Sequence, residues 1–147
     1  MKYLLDSDAL SDLYDPEAPG HEGMTRQLAS LANSDQVFIS ILALYELEYG
    51  FANAPEEKKP AIRKRITDAH KDFPILPLTT AGAGLFGSLK AEFRQLRQLN
   101  DKKVKGHNID LMIAATAISE ECVLISLDSI YPDVLQLHAG LRLESWR

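Results

Sequence analysis

The chain predicts an α/β architecture: a central parallel sheet of about five strands with helices on both faces. Three observations carry that expectation. The apolar runs are short and lack polar alternation, as in strands buried on both faces of a parallel sheet. Stretches with helical spacing separate them, which gives the βαβ alternation of a three-layer α/β/α fold. No repeat, low-complexity segment or linker interrupts the 147 residues, 46% of them hydrophobic, so residues 1–147 read as one domain with a substantial core.

The elements follow in order. Tyr3-Leu4-Leu5 is the first buried strand, and it runs straight into Asp6-Ser7-Asp8. Ala9 to Tyr14 reads as a short helix, ended by Asp15-Pro16-Glu17-Ala18-Pro19-Gly20. His21 to Ala32 has helical spacing through Met24, Leu28 and Leu31. Val37-Phe38-Ile39 is a second strand, after which Ser40 can cap a helix from Ile41 to about Phe51. Ala54-Pro55 opens a charged helix reaching about His70. Pro74-Ile75-Leu76-Pro77-Leu78 is a third strand, whose prolines assign it to an edge. Thr79 or Thr80 starts a long helix through Leu85, Leu89, Phe93 and Leu99. Asn100 to His107 reads as a basic loop, and Asn108 as the cap of an apolar helix from Ile109 to Ile118. Val123-Leu124-Ile125 is the fourth strand and Leu141-Arg142-Leu143 the fifth.

Composition narrows the class. One cysteine, Cys122, excludes a disulfide framework and a cysteine-based zinc site; it fits a reducing cytoplasm and reads as a small buried hydrophobe. No apolar run has membrane-helix length and no signal segment opens the chain, so a soluble cytoplasmic protein is expected. The net charge of −5 gives no bulk attraction for nucleic acid. A polyanion must then be held by local basic patches or by metal.

Four acids fall in related places. Asp6 and Asp128 each follow the end of a strand, where open α/β sheets collect ligands. Asp110 opens the apolar helix before the fourth strand, and Glu46 lies in the helix after the second. Glu46 and Glu48 point roughly 200° apart on their helix, so one of them must face the interior or its border. Leu42 and Tyr49 flank Glu46 on an apolar stripe, which favours Glu46. Each acid alone has an ordinary explanation as a cap, a turn residue or a dipole partner. Together they repel, by about 4 kcal/mol per pair at 4 Å and intermediate dielectric, unless a cation compensates. Oxygen ligands without cysteine or spaced histidines select Mg²⁺ or Mn²⁺. Such ions support in-line hydrolysis of phosphodiesters.

Tyr3-Leu4-Leu5-Asp6-Ser7-Asp8-Ala9-Leu10, Ile39-Ser40 leading to Tyr45-Glu46-Leu47-Glu48-Tyr49-Gly50, Asp110-Leu111-Met112-Ile113-Ala114-Ala115-Thr116-Ala117 and Leu124-Ile125-Ser126-Leu127-Asp128 resemble the ordered motifs of PIN-domain ribonucleases. More closely they resemble the VapC-type toxins of bacterial toxin–antitoxin pairs, over nearly the whole chain. The resemblance implies a PIN-like fold and a Mg²⁺- or Mn²⁺-dependent endoribonuclease. It also implies a homodimer and a VapB-like antitoxin partner. By motif, Asp6, Glu46, Asp110 and Asp128 take the catalytic and metal-binding roles. Two positions depart from the pattern: Asp8 stands where the family usually has Asn, and Ser126-Leu127-Asp128 replaces Thr-Asn-Asp. Asp8 and Ser126 then read as outer-shell groups.

Lys102, Lys103 and Lys105 are the foremost RNA-binding candidates, with Arg63-Lys64-Arg65, Arg94 and Arg97 behind them. His21, His70 and His138 show no ligand spacing and are expected at the surface, and His107 reads as a loop histidine. Tyr14, Tyr45 and Phe51 are assigned to core or dimer packing before base stacking, and Trp146 to packing. Two rival readings stand beside the nuclease. Asp6-Ser7-Asp8 also resembles the nucleophile motif of haloacid-dehalogenase-like phosphatases, with Asp128 and Asp133 as the late acidic pair. However, Leu10 stands where that family prefers Thr or Val, no Lys is suitably placed, and Glu46 is left without a role. The other rival is a non-catalytic module that binds RNA or a protein partner.

Overall fold

The computed structural model describes residues 1–146. Lys2–Leu5 (β1) leads through Ser7–Tyr14 (α1) and His21–Ser30 (α2) to Gln36–Ser40 (β2). Ile41–Asn53 (α3), a 3₁₀ turn at Glu56–Lys58 and Lys59–Asp72 (α4) precede Ile75–Leu76 (β3). Thr80–Leu96 (α5), Asp101–Lys105 (α6) and Asn108–Ser119 (α7) then lead to Val123–Ile125 (β4). Ile130–Leu137 (α8) and Arg142–Glu144 (β5) complete the order. The five strands form one sheet in the order β3-β2-β1-β4-β5, and every pairing is parallel. The expected α/β class and edge position of the third strand are therefore both present.

Strand alternation divides the interior into two cores. Leu4 and Leu124 face α5, α7 and α8, where Leu89, Phe93, Leu111, Ala114 and Tyr131 are buried. Leu5, Ile39, Val123 and Ile125 face the opposite way, onto Leu10, Met24, Ala43, Ala69 and Phe73. Burying each large side chain contributes roughly 1.5–3 kcal/mol, so β1, with Leu4 and Leu5 buried, and β4, buried along its whole length, anchor the middle of the sheet. Because β1 has β2 on one side and β4 on the other, the strand order reverses there. The helix after β1 packs on one face and the helix after β4 on the other, so a crevice opens beyond Leu5 and Ile125.

Several boundaries differ from expectation. The anticipated basic loop contains α6, because the Asn100 side chain accepts a hydrogen bond from the Lys103 amide (2.8 Å) and caps the helix. Asn108 is the first residue of α7, not its cap; His107 precedes it without a side-chain cap bond. Helix α8 was not anticipated at all. Pro132 reads as a breaker, yet it lies in the first turn, where the missing amide hydrogen removes no helical bond. The third strand shortens to two residues between its prolines, and the fifth starts one residue later than expected.

Candidate functional site

Four chain segments converge beyond the end of β1. The Asp6 amide donates to the Ile125 carbonyl (3.2 Å), which ties the end of β1 to the end of β4. Asp6 then turns the chain: its Oδ1 accepts from the Ala9 amide (2.8 Å) and caps α1. The cap role and the strand-end position belong to the same carboxylate. Its other oxygen, Oδ2, accepts a hydrogen bond from the Ser126 hydroxyl. Ser126 Oγ also accepts from the Asp128 amide (3.0 Å), and Asp128 Oδ1 from the Ile130 amide (3.0 Å), starting α8. From α3, Glu46 accepts a hydrogen bond from Ser7 Oγ. Asp110, in the first turn of α7, completes the ring.

Asp6, Ser7, Asp8, Glu46, Asp110, Ile113, Asp128 and Tyr131 line one open cleft of about 230 Å³. A second cavity of about 150 Å³ adjoins it, lined in part by Asp8, Asp12, Ser126, Asp128 and Trp146. The structure therefore brings Asp6, Glu46, Asp110 and Asp128 together, with Asp8 on the rim and Ser126 bonded behind Asp6.

The electrostatics follow from burial and mutual repulsion. Asp6 is 4% exposed, and burial pushes its carboxyl up to about 6. The hydrogen bonds from Ser126 and Ala9 oppose the rise, while the charges of Asp8 and Asp128 add to it. Half-buried Asp110 is also pushed up to about 6, first by desolvation and then by Asp128, Glu46 and Asp8. Both carboxyls are raised chiefly by burial, with neighbouring negative charge adding to it, which marks a desolvated acidic site.

Glu46 reaches the cleft by a route other than the expected one. Both Glu46 and Glu48 are exposed: after Leu44 no residue of α3 is buried, and only Leu47 and Phe51 are half-buried. Tyr49 is 71% exposed, so no buried stripe runs past Glu46. Glu48 instead forms a two-pronged ion pair with Arg63 (2.9 and 3.0 Å). Exposed Tyr45 likewise has no part in the core.

Among the basic candidates, Arg63, Lys64, Arg94 and Arg97 are engaged with Glu48, Asp68, Asp101 and Asp133. Lys102, Lys103 and Lys105 are exposed on α6 and, among the described residues, form no ion pair; none of them lines the cleft. His107 packs edge-on against Phe93, while Trp146 is buried against Tyr3. Cys122 is buried before β4, as expected. Asp133, needed by the phosphatase reading, is paired with Arg97 and lies outside the cleft. Two groups escaped sequence reasoning. Ser7 had a signal, its place directly after Asp6; Tyr131 had none, since it sits in the unanticipated α8.

Among the described residues, no group of three or more His, Cys, Asp and Glu is arranged to hold a metal ion as placed. The donor set is nonetheless chemically suited to one: only oxygens, with two of the carboxyls pushed up to about 6 by burial and, less, by neighbouring negative charge. Such donors suit a hard divalent cation, with Asp6, Glu46, Asp110 and Asp128 as the residues able to hold it.

Comparison with known proteins agrees with the architecture. No curated protein sequence matches the chain. Among solved structures, VapBC2 from Rickettsia felis, bound to a DNA fragment from its promoter, is similar at a TM-score of 0.80 and 22% identity, over 100% of both chains. VapBC-1 from nontypeable Haemophilus influenzae gives 0.77 at 18% identity, over 99% of this chain and 98% of that one. FitAcB from Neisseria gonorrhoeae gives 0.73 at 22%, over 97% and 96%. At these identities the likeness speaks for the fold. The family profile described as PIN domain matches residues 3–135, nine-tenths of the sequence and all four segments that meet in the cleft, so the chain belongs to the PIN domain family.

Proposed function

We propose that the protein is a metal-dependent endoribonuclease, the toxin of a toxin–antitoxin pair, and that the acidic cleft is its active site. The observation that carries this reading is the meeting of Asp6, Glu46, Asp110 and Asp128, from four separate segments, at the strand-order reversal of a PIN fold. A bound Mg²⁺ or Mn²⁺ supplies Lewis acidity toward a phosphodiester and activates water for attack. The protein's own groups set the geometry. Ser126 and the Ala9 amide hold both oxygens of Asp6, so that carboxylate enters the cleft in one orientation. Ser7 restrains Glu46, which otherwise extends from an exposed helix. Asp128 is fixed through the Ile130 amide. Lys102, Lys103 and Lys105, free of ion pairs among the described residues, supply positive charge for the RNA backbone that the net charge of −5 does not.

The partner is a VapB-like antitoxin. The similar VapBC structures support this assignment: two of those named above are VapBC proteins, one of them bound to promoter DNA. Among the described residues no helix is long and apolar enough to cross a membrane, which accords with a cytoplasmic toxin. The chain also pairs with a second copy. Tyr45 and Tyr49, one turn apart on α3, are 69% and 71% exposed and offer an apolar contact.

The test is hydrolysis of single-stranded RNA and of a phosphate monoester by purified protein, with and without Mn²⁺. RNA cleavage requiring Mn²⁺ is expected, and Asp6→Asn should lower it by at least a hundredfold while leaving the circular dichroism spectrum intact. Metal-independent cleavage, or full activity in Asp6→Asn, would refute the reading.

A further inference from the structure

Three of the four clustered carboxylates have hydrogen-bond donors within the protein. Asp6 has the Ala9 amide and Ser126, Glu46 has Ser7, and Asp128 has the Ile130 amide. Among the described residues, Asp110 has none. The same cleft contains the complementary imbalance. Tyr131 is fully buried in α8 and lines the cleft, and its hydroxyl has no hydrogen-bond partner among the described residues. A buried hydroxyl without a partner costs more than an isosteric phenyl edge would, so packing alone favours Phe here. A tyrosine phenol is an O–H donor at neutral pH. Both oxygens of Asp6 already carry donors. Of the four clustered carboxylates, Asp110, on neighbouring α7, is the one left without a donor among the described residues; Asn108 Oδ1, also on α7, is unpaired too but does not line the cleft.

We propose that Tyr131 is a positioning residue: its hydroxyl would donate to the Asp110 carboxylate when Asp110 holds a divalent cation. This inference rests on the metal-site reading above. It follows the pattern already visible at Asp6 and Glu46, where a neighbouring hydroxyl steers each carboxylate. Asp110 faces the negative charges of Asp128, Glu46 and Asp8, which a divalent cation would compensate. With those charges compensated, the Asp110 carboxylate can accept a charge-assisted hydrogen bond from the Tyr131 O–H.

The test compares wild type and Tyr131→Phe by Mn²⁺ titration calorimetry and by thermal melting without metal. Loss of one hydrogen bond to a carboxylate should weaken the Mn²⁺ Kd roughly tenfold. The metal-free Tm should stay level or rise, since an unsatisfied hydroxyl leaves the core. Unchanged Mn²⁺ affinity in Tyr131→Phe would overturn the inference while leaving the metal-site reading intact. Weaker binding together with a lower metal-free Tm would also overturn it, by marking a packing defect. A wild-type protein that takes up no Mn²⁺ would overturn the metal-site reading and this inference with it.

Discussion

Asp6 does several jobs with one side chain, and each follows from the residues beside it. One oxygen caps α1, the other receives Ser126, and the group as a whole lies in the cleft at 4% exposure. Its cap bond would suit any helix start; its burial beside other acids would not. Asp6 and Asp110 are each pushed to about 6 in the folded protein, mainly by desolvation, whereas an unfolded Asp titrates near ~3.9. Between those values the folded state binds more protons than the unfolded one, so stability falls as pH rises through 6. Asp35 works in the opposite sense, because its bond from the amino terminus holds it below the usual carboxylate range; its contribution is lost only at more acidic pH. Metal-free protein should therefore melt higher at pH 5 than at pH 7.5, by on the order of 5 °C. Asp6→Asn should flatten that slope. An equal or higher Tm at pH 7.5 would show that the two acids are not strained by burial.

At the scale of elements, the parts legible in the sequence were those whose residues satisfy one demand at a time. Leu4 and Leu5 are apolar on both faces of β1, and Ile113 to Ala117 fill α7; such runs admit few arrangements. Asp6 and Asp128 were legible because they directly end buried strands. Elements set by a local bond or by distant packing were not. The cap from Asn100 makes α6 a helix among three lysines, and Pro132 conceals α8 until its place in the first turn is known. Glu46 illustrates the limit best. Its helix reads as amphipathic, but the side chain is directed by Ser7, 39 positions away, and not by an apolar stripe. On the same helix Tyr45 and Tyr49 are exposed and form the proposed dimer contact. Sedimentation at micromolar concentration should find a dimer for wild type and a monomer for the Tyr45→Ala/Tyr49→Ala double variant. A monomeric wild type, or an unchanged variant, would place the contact elsewhere or remove it.

For the molecule as a whole, topology assembles what no local segment holds. β1 and β4 are neighbours although 118 residues and a full crossover separate Lys2 from Glu120, whose carbonyl accepts from the Lys2 ammonium at the far end of the sheet (2.7 Å). At the near end, the reversal of strand order sends α1 and α8 to opposite faces and leaves the acids between them. The fold thus supplies a fixed anionic cleft, and the proposed chemistry depends on a cation entering it. Crystals soaked in millimolar Mn²⁺, with data collected at the manganese absorption edge, test this most directly. The account predicts an anomalous peak among Asp6, Glu46, Asp110 and Asp128; a fully soaked crystal with no peak there, or with its only peak elsewhere, would contradict it.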